Sequence, residues 1–298
     1  MDLSTFIVAV FCLIDDRLKG HRIRQQRGPA PKLSDAEVLT IEIVGEFLGI
    51  IDTDKAIHLF FRRHYAEWFP TLREVVHRTT FSSVRRPTSG SSKSASGKSS
   101  SRSPPTTLPS RSWTRCPCPP ASSPAPTAAL SVPRGEAAFG RDTLLRQTFY
   151  GFRRVHARVC WPGVITRLSV APADAHELRV LPELLESTRG FAVGDRNYWS
   201  PEKREELVRS TGVALLAPYR SKKRDPAPER SAFLSRLRYR IDTVFSLLTG
   251  RYSVKRVWAK DLWHLAGRLL RKVLSHTVAY LLNHRAGNRP LQLARLLH

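Results

Sequence analysis

The spacing of apolar residues divides this chain into helices and strands. Phe6, Ile7, Val10, Phe11 and Ile14 line one face of a first helix that ends near Gly20, ahead of the basic run His21 to Arg27. After Pro29 and Pro31, Ser34-Asp35-Ala36-Glu37 has the form of a capping box, and Val38, Leu39, Ile41, Ile43, Val44, Phe47 and Leu48 form a second helix stopped at Gly49. A third runs from about Asp54, through Ile57, Phe60, Phe61 and Trp68, to Pro70. Residues 1–80 therefore read as an all-α N-terminal module. With Arg and His on its outer faces, it suits either contact with DNA or a dimerisation bundle with solvated charges.

From Arg134 the pattern becomes mixed. Val155 to Trp161 and Val164 to Val170 are β-rich runs on either side of Pro162-Gly163, which predicts an antiparallel hairpin. Ala175-His176-Glu177-Leu178 opens a helix through Leu181, Leu184 and Leu185, before Gly190. Phe191 to Gly194 is a short buried strand with Asp195 at its C-terminal end, where α/β sheets place reactive groups. A helix from Pro201 to Ser210, a strand from Val213 to Pro218 and a basic loop from Tyr219 to Arg230 follow. In the stretch Arg236 to Gly250, Leu237, Ile241, Val244, Phe245 and Leu248 make one buried helical stripe. The last helix, about Lys260 to His284, carries Leu265, Leu269, Val273, Leu274, Val278 and Leu281 on its core face and Arg268, Arg271 and Lys272 elsewhere. This order is α/β, and what it lacks is a first strand bearing an acid.

Asp242 interrupts its stripe. Asp is a poor residue in mid-helix and unfavourable to bury unpaired, so it either pairs with Arg238 four residues earlier or is a metal-binding carboxylate aimed into a cleft. Charge bears on the choice. The 298 residues contain 49 Lys and Arg against 25 Asp and Glu, a net charge of +24, which indicates a polyanionic partner, most simply nucleic acid. A membrane surface is the competing partner, but the basic residues are spread along the chain instead of clustering beside an anchor. Leu3 to Ile14 is too short to span a bilayer and follows no basic residue, so a cytoplasmic protein is expected. Cys12, Cys116, Cys118 and Cys160 are too scattered for a disulfide framework, and Cys116 with Cys118 has no second ligand pair to complete a zinc site. His156, Cys160, His176 and Glu177 read as ordinary strand and helix residues, Asp174 as a helix cap, and Trp199, Trp258 and Trp263 as core or rim aromatics.

Between these regions the composition breaks. Of the 52 residues from Ser82 to Pro133, 33 are Ser, Pro, Thr or Gly, and no acid occurs between Glu74 and Glu136. Taken at face value, residues 81–133 are a basic, disordered linker. A structureless insertion of this length is uncommon inside a compact enzyme, and this one begins and ends without turn or capping signals. Back-translation offers another explanation. When every codon is read one base earlier, Trp113 to Pro119 becomes compatible with V-D-S-M-P-V-P, an apolar strand carrying an Asp. Arg86 to Gly97 becomes compatible with A-A-N-L-W-V-V-K-E-R-L-W, an amphipathic helix. The segment reads as translated out of frame, through a lesion near Phe81 and a compensating one near Pro133.

The pieces GFRRVHARVCWPGVITRLSVAPADAHEL, GDRNYWSP, LLAPYRSKK, RYRIDTVFSLL and KRVWAKDLWHLAGRLLRKVLSHTVAYLLNH resemble a bacterial insertion-sequence transposase of the DDE type. The resemblance covers about Met1 to Thr80 and Arg134 to His298. It implies a ribonuclease-H-like catalytic domain over 134–298, a mixed sheet flanked by helices, here without its first strand. In that family the acids lie in V-D-S-x-P, G-D-x-x-Y and R-x-x-x-E. Asp195 with Tyr198 matches the second motif, and Arg238 with Asp242 matches the third in spacing, with Asp for Glu. The first motif exists only in the shifted frame.

The resemblance thus implies Asp195 and Asp242 as catalytic, metal-binding acids for Mg²⁺ or Mn²⁺. Arg238, Lys222, Lys223, Lys255 and Arg256 become the DNA-contacting candidates. Its implied partners are double-stranded DNA, as element ends and as target, and a second copy of the chain. Two divalent ions roughly 3.5–4 Å apart catalyse in-line displacement at phosphorus, and converging carboxylates must hold them. With the first acid missing, the chain is expected to be a transposase by descent without strand cleavage; the alternative is a non-catalytic basic DNA-binding protein derived from one. The nucleotide sequence from the codon for Phe81 to that for Arg134 is expected to encode both restored strings in the shifted frame, and a sequence that encodes neither would dispose of the frame change.

Overall fold

The computed structural model describes residues 1–19, 33–50, 54–74, 114–115, 138–142, 147–160, 162–174, 177–186, 188–257 and 262–297. Its contacts divide into two compact units, Met1–Pro105 with Ala294–His298, and Thr106–Leu293. Of the stretch 81–133, all but Thr114 and Arg115 lies outside the described residues, as do the run from His21 to Arg27, Cys116, Cys118, His176 and Trp258.

The first unit is helical. In α1 (Leu3–Leu18), Phe6, Ile7, Val10 and Ile14 are buried, and the Phe6 ring packs 4.7 Å from that of Phe47 on α2 (Asp35–Phe47). Ser34 caps α2 as its sequence requires: the Glu37 amide donates to Ser34 Oγ at 3.2 Å and the Ser34 amide to the Glu37 carboxylate at 2.7 Å. Helix α3 (Asp54–His64) ends earlier than the periodicity indicates, and Pro70 begins α4 (Pro70–Glu74) instead of closing α3. Proline favours the first turn of a helix because its missing N–H would be unpaired there in any case. Arg62, Arg63 and His64 lie exposed at the end of α3, while His58 is buried. The last residues of the chain belong to this unit, and the Met1 ammonium donates to the Leu296 carbonyl at 2.9 Å.

The second unit is mixed α/β. Strands β3 (Gln147–Cys160) and β4 (Val164–Pro172) form the expected antiparallel hairpin, longer than the β-rich runs alone indicate. Strand β2 (Ala138–Asp142) also pairs antiparallel with β3, and β1 (Thr114–Arg115) pairs with β3 through Thr114 opposite Val155 and Arg115 opposite Arg154. A 3₁₀ turn, Glu177–Val180, and α5 (Leu181–Leu185) lead to β5 (Gly190–Val193). Helix α6 (Pro201–Thr211) then crosses over, so that β6 (Val213–Leu216) runs parallel to β5. Gly212 closes α6 at φ 69°, the left-handed conformation that glycine adopts without strain. Among the described residues the antiparallel sheet and the β5–β6 pair share no strand.

Two features position β5. Arg158 of β3 reaches to the connection before β5, donating from Nη1 to the carbonyls of Leu184 at 3.1 Å and Glu186 at 2.8 Å. Under the sheet, Leu181, Leu185, Ala192, Tyr198, Leu207, Val213, Leu215 and Ala217 form one buried cluster that locks α5, β5, α6 and β6 together.

Helix α7 (Pro228–Gly250) begins within the expected basic loop, again with proline in its first turn, and the Asp225 carboxylate accepts from the Ala227 amide at 2.9 Å just ahead of it. Its buried face keeps Ile241, Val244, Phe245 and Leu248 of the predicted stripe and extends back to Leu234 and Ser231, while Leu237 is only half-buried. The final helix, α8 (Leu262–Arg285), departs from expectation. Leu265 and Leu269 are buried, but Leu274 is 41% exposed and Leu281 37%, while Lys272, Ser275, His276 and Asn283 face inward. The inward face of α8 is therefore partly polar.

His276 is one of these inward residues. Neither ring nitrogen has a hydrogen-bond partner, the ring packs edge-on 6.0 Å from Tyr252, and burial pushes its pKa down to about 4 from 6.5. Because the folded pKa is depressed, the unfolded chain takes up the proton first as pH falls. Stability is then fully present above about pH 6.5 and is lost as pH falls from there toward 4, by roughly 3 kcal/mol for this group. Urea unfolding of wild type and His276→Leu between pH 7.5 and 4.5 is expected to show this slope in wild type and its loss in the variant.

Candidate active site at the end of strand β5

Asp195 is placed by its neighbours in sequence. The Gly194 amide continues the parallel ladder by donating to the Leu216 carbonyl at 2.7 Å, so the strand is still fixed one residue before the acid. A 3₁₀ turn, Arg196–Tyr198, follows at once, with the Tyr198 amide donating to the Asp195 carbonyl at 2.9 Å. Tyr198 then enters the core cluster. A Cβ on residue 194 would lie 3.0 Å from Tyr198 Cβ, so glycine is what allows the turn to fold this tightly against the ring. The pattern G-D-x-x-Y is thus a mechanical unit: the glycine permits the turn, the tyrosine anchors it, and the acid between them is carried off the strand end.

Beyond the turn, Trp199 packs 4.8 Å from the Tyr219 ring, and the Arg204 guanidinium lies over Trp199 at 5.5 Å. Ser231 of α7 accepts a hydrogen bond from the Tyr219 amide at 3.1 Å, which ties the segment after β6 to the start of α7.

Asp242 comes to Asp195 from α7. It follows buried Ile241, at the border between the helix's core stripe and its solvent face, and Arg238 lies one turn before it on the same side. The structure joins both acids through that arginine. Arg238 Nη1 donates to Asp195 Oδ1 at 2.7 Å, a short charge-assisted bond across 43 residues of sequence. Its other edge faces Asp242, with Nε 3.4 Å from Oδ2 and Nη2 3.5 Å from Oδ1. The second contact is an ion pair at the limit of hydrogen-bond length, and Nε, though buried, makes no hydrogen bond there. Asp195 is 14% exposed, Arg238 28% and Asp242 46%. Sequence alone offered pairing with Arg238 or a functional carboxylate for Asp242; the structure gives the pairing and adds Asp195 to it.

The remaining candidates sit around α7. Lys222 and Lys223 lie on a 3₁₀ turn, Lys222–Arg224, before the helix, and Lys223 is exposed. Lys255 and Arg256 are exposed on the turn Val254–Arg256 after it, which buried Val254 pins down. Arg238 stands apart from these four, since its guanidinium is engaged by two acids. A surface groove between α6 and β6, lined by Pro201, Arg204, Val208, Arg209 and Leu215, holds a single acid, Glu205, already paired with Arg209 at 3.2 Å.

A divalent ion fits this arrangement poorly. Asp195 and Asp242 are hard oxygen donors, but a guanidinium lies between them, and among the described residues no group of three or more His, Cys, Asp or Glu could hold a metal. No helix among the described residues is long and apolar enough to cross a membrane. No family model, curated protein or solved structure matches the chain.

The geometry ranks the two ion pairs. The Asp195 pair is short and shielded, whereas the Asp242 pair is long and half in solvent, where such contacts contribute little. Double-mutant cycles in urea with Arg238→Met are expected to give a coupling of roughly 1–3 kcal/mol with Asp195→Asn and below about 0.5 kcal/mol with Asp242→Asn. Equal couplings would show that the arginine serves both acids alike.

Proposed function

We propose that this chain is a DNA transposase of the DDE type by descent, with a ribonuclease-H-like second unit, and that it binds duplex DNA without cutting it. The observation that carries the reading is the convergence of Asp195, at the C-terminal end of a parallel strand, with Asp242, on a later helix. Bringing acids from separated elements to one point is what phosphoryl transfer requires of a protein, and the C-terminal end of a parallel strand suits such an acid. The crossover from β5 through α6 to β6, beside an antiparallel hairpin, suits a ribonuclease-H-like sheet whose first strand is cut to a remnant. Thr114, in the short strand opposite Val155, stands at the position where the shifted frame has Asp. That placement supports the frame change as the cause of the missing acid.

Binding without cleavage follows from charge and from the site. A net charge of +24, with Lys223, Lys255 and Arg256 exposed near the two ends of α7 and Arg62 and Arg63 exposed on α3, favours a polyanion whose counterions are released on contact. Cleavage needs the two-metal arrangement, and the acid pair with an arginine between its members does not provide one.

Gel-shift titration with the element's ends at salt concentrations from about 50 to 200 mM is expected to show binding that weakens steeply with salt. Replacing Lys255 and Arg256 together by Gln should reduce the salt slope by about 2. In the same reactions, 10 mM-scale Mg²⁺ or Mn²⁺ should produce no nicking or joining. Metal-dependent cleavage would make the chain an active enzyme, and absence of DNA binding at low salt would remove the transposase reading altogether.

A further inference from the structure

We infer that the Arg238 guanidinium is the resident cation of this site, holding Asp195 and Asp242 together in the place a divalent ion would need. The inference rests on the preceding reading only in taking these acids as the pair of a phosphoryl-transfer site; the contacts themselves are independent of it. One planar group faces both carboxylates, Nη1 toward Asp195 at 2.7 Å and the Nε–Nη2 edge toward Asp242 at 3.4 and 3.5 Å. Both carboxylates thus present an oxygen to the same cation.

Charge and chemistry reinforce the geometry. Two carboxylates and one guanidinium leave the group with a net charge of −1, too little to hold a dication that must sit beside a fixed positive charge. The guanidinium cannot easily swing aside. Its stem is anchored one turn from Asp242 on the same face of a rigid helix, and leaving would strip Asp195, largely shielded from water, of a strong partner.

Asp in place of a longer Glu contributes as well. Its carboxylate stays one methylene closer to the helix axis, over the preceding turn, which is where the Arg238 edge lies. The consequence is a site that is assembled without metal and insensitive to it.

Manganese provides the probe, because the spectrum of free Mn²⁺ disappears when the ion is bound. Titration of the full-length protein with MnCl₂, without DNA, is expected to show no saturable binding up to about 1 mM, and melting curves should be the same in MnCl₂ and EDTA. Arg238→Met should create a site at least tenfold tighter than any in the wild type, and adding Asp195→Asn should abolish it. Arg238→Lys, which keeps the charge, should remain metal-blind.

Saturable Mn²⁺ binding by the wild type that is lost in Asp195→Asn would overturn the inference, and so would an Arg238→Met variant that folds by circular dichroism but gains no binding. If Arg238→Met does not fold, the wild-type and Asp195→Asn titrations decide alone: metal-blindness of the wild type supports the inference, and an Asp195-dependent site rejects it. Loss of DNA binding would leave this result unchanged, so failure here and failure of the transposase reading are separable.

Discussion

The ion pair of Arg238 with Asp195 joins the two elements on which the candidate site depends. One partner is carried by the end of β5, the other by α7, and 43 residues of sequence separate them. The hydrophobic stripe of α7 buries Leu234, Ile241, Val244, Phe245 and Leu248, which fixes the side the helix turns inward. Hydrophobic burial is non-directional, however, and leaves the helix free to slide by fractions of a turn. A charge-assisted bond of 2.7 Å is directional, and it sets the register of α7 against the strand end.

Much of this was legible in the sequence because local chemistry spoke for itself. The capping box at Ser34 forms with both its bonds, the hairpin turns at Pro162-Gly163, and Asp195 follows the C-terminal end of a short strand. The C-terminal part of the α7 stripe was readable since its apolar residues recur at three- and four-residue steps. The start of that helix was not, because Glu229 and Arg230 read as the end of the charged loop before it, and the proline at position 228 marks the boundary.

Helix α8 shows the limit of periodicity. Six apolar residues suggested its inner face, yet Leu274 and Leu281 face out while Lys272, Ser275, His276 and Asn283 face in. A hydrophobic pattern identifies the core side of a helix only when polar residues avoid that side. Here the apolar residues are distributed widely enough that two faces compete, and the packing partners decide between them. The position of Arg238 was hidden for a related reason. Spacing along one helix predicts its contact with Asp242, but a partner on a distant strand end has no periodic signature.

The two acids are held by different means, and this difference controls what the site can become. Asp195 is fixed from behind: backbone bonds on both sides of it, a glycine that allows close packing and a tyrosine buried in the core leave its position little freedom. Asp242 is fixed only by its helix and by a long contact to Arg238, with nearly half its side chain in solvent. Rearrangement of the site must therefore occur on the α7 side. Lengthening residue 242 would move a carboxylate at the solvent border of α7, whereas any change at Asp195 disturbs a turn built into the core. On the proposed reading, the balance of charge around one arginine therefore weighs on metal binding more than the length of any single acidic side chain.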